Sequence, residues 1–470
     1  MVPWWALGVL VFGANFTLWG MLGLCRLSEA GVARLTGWLR HRRGARSRRT
    51  VALPGGPGWR VLVARDTPGD SAGKTVERRR ARSLTVGDVA VLIPAHNEEL
   101  VIEESLAAIM ALVPAANIYV VSDGSTDRTV ELAAAAGARV MTTPKNMGKA
   151  GALELAIRKF GLTEKYAAVM LLDADTRVDP GYFSAALPLF DDPGIAAVAG
   201  CVRTQWDRTL SPIGNLLVAH RTRIYSVAQR VLKMGQTWLR TNATHIVPGF
   251  ASVYRTSVLP KIDMNPPGLV IEDFNMTFEL YQRHLGKVGF TMSAVAVTQD
   301  PDNFHDYVRQ TRRWATGLWQ TVWRHAPRPN LFSLMLTVLL LELVVSSLLF
   351  LLLPVIVLVL GTGDLFSDAL AWPPFAAVHR EVAARVDLHN VLIGVVLPDC
   401  AITCLTAAVE RRARLLLCGL FFLPLRVVDA AIALYAVPSA LFSTSTGRWS
   451  SPARRATEAV PIERKVKSSA

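Results

Sequence analysis

An α/β domain on a mainly parallel sheet, attached to transmembrane helices, is the fold class this sequence predicts. Three observations carry that reading. Apolar strands alternate with helix-patterned segments from residue 88 onward. Polar residues gather where those strands end. Long apolar runs open the chain and return after residue 330. Composition agrees: of 470 residues, 51% are hydrophobic and 19% charged, against roughly 25% charged in average soluble domains.

The first run, Trp4 to Leu24, carries no charge and is long enough to span hydrocarbon as a helix. A cleavable leader would place its positive residues before the apolar core. Here they follow it, at Arg26, Arg34, Arg40, Arg42, Arg43, Arg46, Arg48 and Arg49. Residues 1–25 therefore read as a signal anchor and 26–87 as a basic cytoplasmic linker, with a short strand at Trp59–Val63. Strands are expected at Val89–Ile93, Ile118–Val121, Arg139–Met141 and Ala167–Leu172. Helices are expected at Glu98–Leu112, Asp127–Ala136 and Lys149–Phe160. The folded block runs over 88–330, transmembrane helices over 331–447, and a basic tail over 448–470.

The late runs are Leu331–Leu360, Asn390–Val409 and Leu415–Phe442. Their ionisable residues, Glu342, Asp399, Arg426 and Asp429, need partners inside a bilayer. Arg426 and Asp429, three apart, are expected to pair along one helix face. The last run is either a single crossing or a kinked or re-entrant segment.

The net charge of +14 is concentrated. Residues 26–82 hold 15 Lys and Arg against 4 acids, and 448–470 hold 6 against 2. The folded block is near neutral, which argues against a nucleic-acid partner and for contact with anionic lipid. Five scattered cysteines exclude a disulfide framework, and no CxxC pair with histidines suggests zinc. No GxGxxG follows the first strand and no GxxxxGK[ST] occurs, so nicotinamide dehydrogenases and P-loop NTPases fit poorly.

In parallel sheets ligands bind beyond the strands' carboxyl ends. His96-Asn97-Glu98, Ser122-Asp123-Gly124-Ser125 and Asp173-Ala174-Asp175 stand there. In an extended segment Asp173 and Asp175 face one way, and paired hard oxygens suit Mg²⁺ or Mn²⁺ on a diphosphate. Lys149 opens a helix, a position that favours phosphate. Glu272-Asp273 begins another, and a carboxylate there suits removal of a proton from an attacking hydroxyl. Gln310-Thr311-Arg312-Arg313-Trp314 offers an arginine for phosphate and a flat indole for a sugar ring.

Taken in order, these motifs resemble the membrane-embedded, processive family 2 glycosyltransferases that make poly-N-acetylglucosamine, chitin, chitooligosaccharides, hyaluronan and cellulose. The matching stretches are Pro94–Glu99, Ser122–Thr129, Asn146–Leu153, Asp173–Thr176, Glu272–Asp273 and Gln310–Trp314. The tail Arg448–Pro452 is similar to the Trp-containing C-terminal segment of the poly-N-acetylglucosamine branch. The resemblance implies a GT-A fold facing the cytoplasm in an integral plasma-membrane protein.

Carried over, Pro94, Asn97, Glu98, Asp123, Lys149, Asp173 and Asp175 would bind a UDP-sugar donor, with Asp123 at the uridine. Asp173 and Asp175 would also hold the metal. Asp273 would be the general base, and Glu272, Gln310, Arg313 and Trp314 would meet the acceptor and diphosphate. Ser122 stands where many members have a second Asp, and Ile271 where many have a small polar residue.

The implied activity is inverting transfer of a sugar, best matched by N-acetylglucosamine, onto a growing β-linked glycan coupled to export. A glycan or lipid-linked acceptor and the bilayer are the expected partners, and an accessory membrane subunit is left open. The rival readings are a single-addition glycolipid glycosyltransferase and a non-catalytic export subunit.

Overall fold

The computed structural model describes residues 2–46, 83–207, 209–443 and 454–455. The expected strand at Trp59–Val63 and the segment Arg448–Pro452 lie outside the described residues. Contacts separate a main body, residues 1–23 and 83–470, from a second unit, 24–82, whose described part is helical to Arg46.

Eight strands form one sheet: β1 (Val89–Ala95), β2 (Ile118–Ser122), β3 (Arg139–Thr142), β4 (Ala168–Leu172), β5 (Arg177–Val178), β6 (Ile195–Thr204), β7 (Ala251–Arg255) and β8 (Lys287–Thr298). Their order is β3-β2-β1-β4-β7-β6-β8-β5. The first four run parallel, and β6 is parallel to β8. β7 enters antiparallel to both β4 and β6, and β5 closes the edge antiparallel to β8. The sheet is thus mixed, with its Rossmann-like half where the strand–helix rhythm predicts it.

Period-two geometry explains why β1 reads as an unbroken apolar run. Val89, Val91, Ile93 and Ala95 point into one core, with Ile102, Leu106 and Ile109 of the helix Ile102–Met110. Ala90 and Leu92 point into the other, with Ala152, Leu153 and Ala156 of the helix Lys149–Phe160. Both faces are covered, as parallel strands require. The helix expected from Glu98 begins only at Ile102. Asn97 takes a positive φ of 56°, which holds 96–101 as a loop. That loop is tied to the end of β2: Thr126 N–H donates to Asn97 Oδ1 at 2.8 Å, and Asn97 N–H donates to Ser125 Oγ at 3.1 Å.

Three described helices are long and apolar enough to cross a membrane: Leu331–Leu365, Leu388–Glu410 and Phe422–Phe442. A short helix, Arg414–Gly419, precedes the last. The N-terminal run is not one straight span. Helices Trp4–Phe12 and Ala14–Glu29 meet at 77°, and only as a bent pair do they make a fourth candidate. Gly13, at φ 84°, makes the corner. There Glu342 accepts the Asn15 backbone N–H at 3.0 Å and its side-chain amide at 2.6 Å, capping the second helix with a carboxylate. Trp19, 1% exposed, then packs with Ile271, Phe274 and Phe278.

The other intramembrane charges also find partners, with one correction. Arg426 does not pair with Asp429. Asp399 accepts from both Arg223, at 2.5 Å, and Arg426, at 3.1 Å. Asp429 instead meets His220 Nε2 at 2.9 Å and the Tyr307 hydroxyl at 2.6 Å. The reason is the helix Pro212–Val227, which brings buried cationic residues to the membrane helices.

Candidate active site

Asp173 and Asp175 follow β4, Lys149 opens its helix behind Gly148, and Glu272 and Asp273 form the first turn of the helix Glu272–Gln282. Gln310, Arg313 and Trp314 lie on the helix Phe304–Arg324. These eight line one cavity of about 440 Å³, within the roughly 300–1,000 Å³ typical of small-molecule sites.

The other four expected donor residues do not line it. Pro94 lies within β1 beside Val121, and Asn97 braces the loop described above. Asp123 is fully buried, and its carboxylate is engaged by the chain. It accepts the backbone N–H groups of Met147 and Gly148, both at 2.8 Å, and the Thr143 hydroxyl at 2.9 Å. Asp123 fixes the turn that presents Lys149. Glu98, 1% exposed, faces a partner the sequence reading missed: Arg454, whose Nε and Nη2 donate to it at 2.8 and 3.2 Å. Arg454 Nη1 also meets Asp175 Oδ2 at 2.5 Å.

Lys149 Nζ lies 2.8 Å from Asp173 and 3.1 Å from Glu272. Burial alone would lower its pKa, but the fields of Asp173, Glu272 and Asp273 outweigh burial and hold it well above the ordinary value. Burial raises Asp173 against the pull of Lys149. Glu272 is also penalised by burial, but Lys149 prevails and keeps it low. Asp273 is pushed up to about 7, by burial first and by the charge of Glu272 next, with Lys149 and the Gly249 N–H opposing. Adjacent carboxylates thus receive opposite biases, the arrangement that separates an ionised partner from a titrating base.

Gly249 is required where it stands. Its N–H donates to Asp273 Oδ2 at 2.8 Å, and a Cβ on it would lie 2.4 Å from Asp273 Oδ1. Trp314 is held by another residue missed in sequence. The Arg221 guanidinium stacks 4.5 Å from its ring centre and 4.5 Å from that of Tyr307. Arg221 also donates to Thr311 at 2.6 Å and Gln310 at 3.3 Å.

The donor set fits a divalent cation. Asp173 Oδ1 and Asp175 Oδ2 face cations of the chain itself, Lys149 at 2.8 Å and Arg454 at 2.5 Å, in the cavity that would receive the ion. Among the described residues no three His, Cys, Asp or Glu side chains are grouped to hold a metal. Two carboxylates with diphosphate and water completing the shell is the usual arrangement for Mg²⁺.

Residues 87–317 match the family model "Glycosyltransferase like family 2". A probable glycosyltransferase of Bacillus subtilis, YdaM, is 27% identical over 256 residues, 52% of this chain and 58% of that protein. An N-acetylglucosaminyltransferase of Rhizobium leguminosarum bv. viciae is 26% identical over 254 residues, 50% of this chain and 56% of that protein. The chain therefore spans less than two thirds of the length of these curated relatives. Among solved structures, the mannosyltransferase PcManGT of Pyrobaculum calidifontis, in complex with GDP-Man and Mn²⁺, is 18% identical with a TM-score of 0.46, covering 89% of this chain and 99% of its own.

Proposed function

We propose, for a chain whose residues 87–317 match the family 2 glycosyltransferase model, an inverting membrane glycosyltransferase of GT-A-like fold. It moves a sugar, best read as N-acetylglucosamine, from a UDP-sugar to a growing β-linked oligosaccharide or polysaccharide, coupled to export. One observation carries the reading: Asp173, Asp175, Lys149, Glu272, Asp273, Arg313 and Trp314 converge on a single cavity.

The chemistry follows from their charges. As the donor C1–O bond breaks, negative charge grows on the diphosphate, and Lys149 and Arg313 are the cations placed to stabilise it. Asp173 and Asp175 would hold a Mg²⁺ or Mn²⁺ ion, which when bound neutralises further charge on the same group. Asp273 takes the proton of the acceptor hydroxyl while that oxygen attacks C1 opposite the leaving group. A single displacement turns an α-linked donor into a β-linked product. Glu272 stays ionised and keeps Lys149 in place. Trp314, fixed by Arg221, offers its face to the acceptor ring. Placing this domain in the cytoplasm agrees with the basic residues after Cys25 and with Arg411, Arg412 and Arg414 after the helix Leu388–Glu410.

The test is UDP release by the purified chain in nanodiscs with Mg²⁺ or Mn²⁺ and a panel of UDP-sugars, with products sized by mass spectrometry. A ladder of hexosamine units, lost in Asp273→Asn, is expected. A single sugar on a co-purified lipid would replace polymer synthesis by single addition. UDP release that survives Asp273→Asn would remove Asp273 from the role of base.

A further inference from the structure

One wall of the cavity takes no part in the chemistry above. It is formed by residues 228–236, where the helix widens into a π-turn, and by 244–246. Its polar groups are mostly spent on the chain. Gln229 exchanges two hydrogen bonds with the Val202 backbone, at 2.6 and 3.0 Å, and Gln236 accepts from Thr244 at 3.3 Å. Lys233 is different. Its side chain is buried at 8% exposure, and its ammonium makes one hydrogen bond, to the Ile246 carbonyl at 2.8 Å. An ammonium has three donors. No carboxylate lies within ion-pair distance of it among the described residues, whereas Lys149 and Arg454 each meet two.

The groups around Lys233 do not neutralise it. Burial pushes the Cys201 thiol up to about 11, which keeps it protonated. Burial and the field of Lys233 push His245 down to about 4, so that imidazole is neutral, and its buried Nδ1 has no partner. Lys233 itself is lowered by burial to about 8, with Asp273 opposing, and it remains largely cationic at neutral pH. The Phe290 ring lies 5.9 Å away.

Position decides what this charge meets. The cations acting on Asp173 and Glu272 are Lys149 and Arg313, on the diphosphate side. Lys233 bonds the Ile246 carbonyl, and three residues on the Gly249 N–H holds Asp273. Lys233 therefore lines the cavity on the side of Asp273, the carboxylate read above as the base.

We infer that Lys233, with His245 on the same cavity wall, forms an acceptor subsite for an anionic group, a carboxylate or a phosphate, carried close to the attacking hydroxyl. The inference rests on the glycosyl-transfer reading for the word acceptor, but the anion subsite is a property of the cavity itself. Lys233 is a specificity residue here, and the proton still goes to Asp273.

The test uses the full chain in phosphatidylcholine nanodiscs, with acceptors paired to differ in charge. Glucuronate is set against glucose, N-acetylglucosamine 6-phosphate against N-acetylglucosamine, and phosphatidylglycerol against diacylglycerol. The sugar pairs and the lipid pair separate a soluble anion from a headgroup. In at least one pair the charged member is expected to show a KM about tenfold lower. Lys233→Met should erase that gap, and Lys233→Arg should keep most of it, while the KM for the donor moves far less. The same preference should appear without turnover, as saturation-transfer NMR signals from glucuronate or N-acetylglucosamine 6-phosphate that Lys233→Met removes. A wild-type protein with no preference in any pair, or a preference that outlives Lys233→Met, overturns the inference. Anion binding without UDP release from any donor would instead overturn the transferase reading and leave the subsite standing.

Discussion

Replacing Glu272 by glutamine should shift the pH dependence of transfer toward acid. Asp273 is held at about 7, and the base must be ionised to accept a proton. A group of that pKa is ionised roughly 10% at pH 6 and roughly 90% at pH 8, so kcat/KM, which reports the free enzyme, should rise about ninefold across that interval. After burial, the charge of Glu272 is the next cause of the elevation, and Lys149 opposes it. Glu272→Gln removes the like charge and leaves Lys149, 2.8 Å from Asp173, with one carboxylate fewer to serve. Both effects lower the pKa of Asp273. A shift of roughly one unit would move the rising limb to about pH 5–7 and raise the ionised fraction at pH 6 about fivefold. The assay is UDP release between pH 5 and 9 at constant ionic strength, read as the midpoint of the limb. Its amplitude also carries the loss of Lys149 positioning, so it is not the readout. A midpoint that stays near 7, or moves upward, would refute the assignment of Asp273 as the titrating group.

Three further outcomes follow from the same geometry. Arg454→Ala frees the Asp175 oxygen now engaged at 2.5 Å, and Mn²⁺ titrated calorimetrically into the donor-free protein should bind several-fold more tightly; an unchanged Kd would mean that Arg454 does not compete for that oxygen. Gly249→Ala places a methyl group 2.4 Å from Asp273 Oδ1, and transfer should fall at least about 100-fold with circular dichroism unchanged; near-normal turnover would show that this N–H does not hold the base. Asp399→Ala strips the shared counter-ion from Arg223 and Arg426, and loss of a buried partner of this kind costs roughly 3–5 kcal/mol, so the melting temperature in detergent should drop by several degrees; an unshifted transition would mean that water already solvates both guanidinium groups.

The parallel half of the sheet was legible because β1, β2 and β4 are buried on both faces and bounded by polar turns. The half containing β6 and β8 was not. Ile195–Thr204 is rich in alanine, and its strand state is imposed by pairing with β8 across a register shift. The Asp173, Glu272 and Gln310–Trp314 motifs were legible because their residue types state their chemistry. The role of Asp123 was not, because its partners are backbone N–H groups 24 and 25 residues on. The corner at Gly13 was hidden for a similar reason: its cap, Glu342, lies 327 residues from Asn15. Arg454 lay in a basic tail read for lipid contact and for the motif Arg448–Pro452, neither of which points to Glu98 or Asp175.

Arg221 is the most informative omission, because its neighbours explain why a basic helix is buried. In sequence Ala219-His220-Arg221-Thr222-Arg223 carries no motif that marks it as buried. In the fold His220, Arg221 and Arg223 are 1%, 3% and 5% exposed. Three sets of polar contacts place them. Arg223 is matched by Asp399, His220 by Asp429, and Arg221 by two aromatic faces and the side chains of Gln310 and Thr311. A single helix therefore holds two long apolar helices with two of its residues and the Trp314 indole with the residue between them. Tyr307 closes the circuit, since its ring lies under Arg221 and its hydroxyl donates to Asp429. The acids of the apolar helices thus anchor the α/β domain, and the orientation of Trp314 depends on the same contacts that seat that domain on its helices.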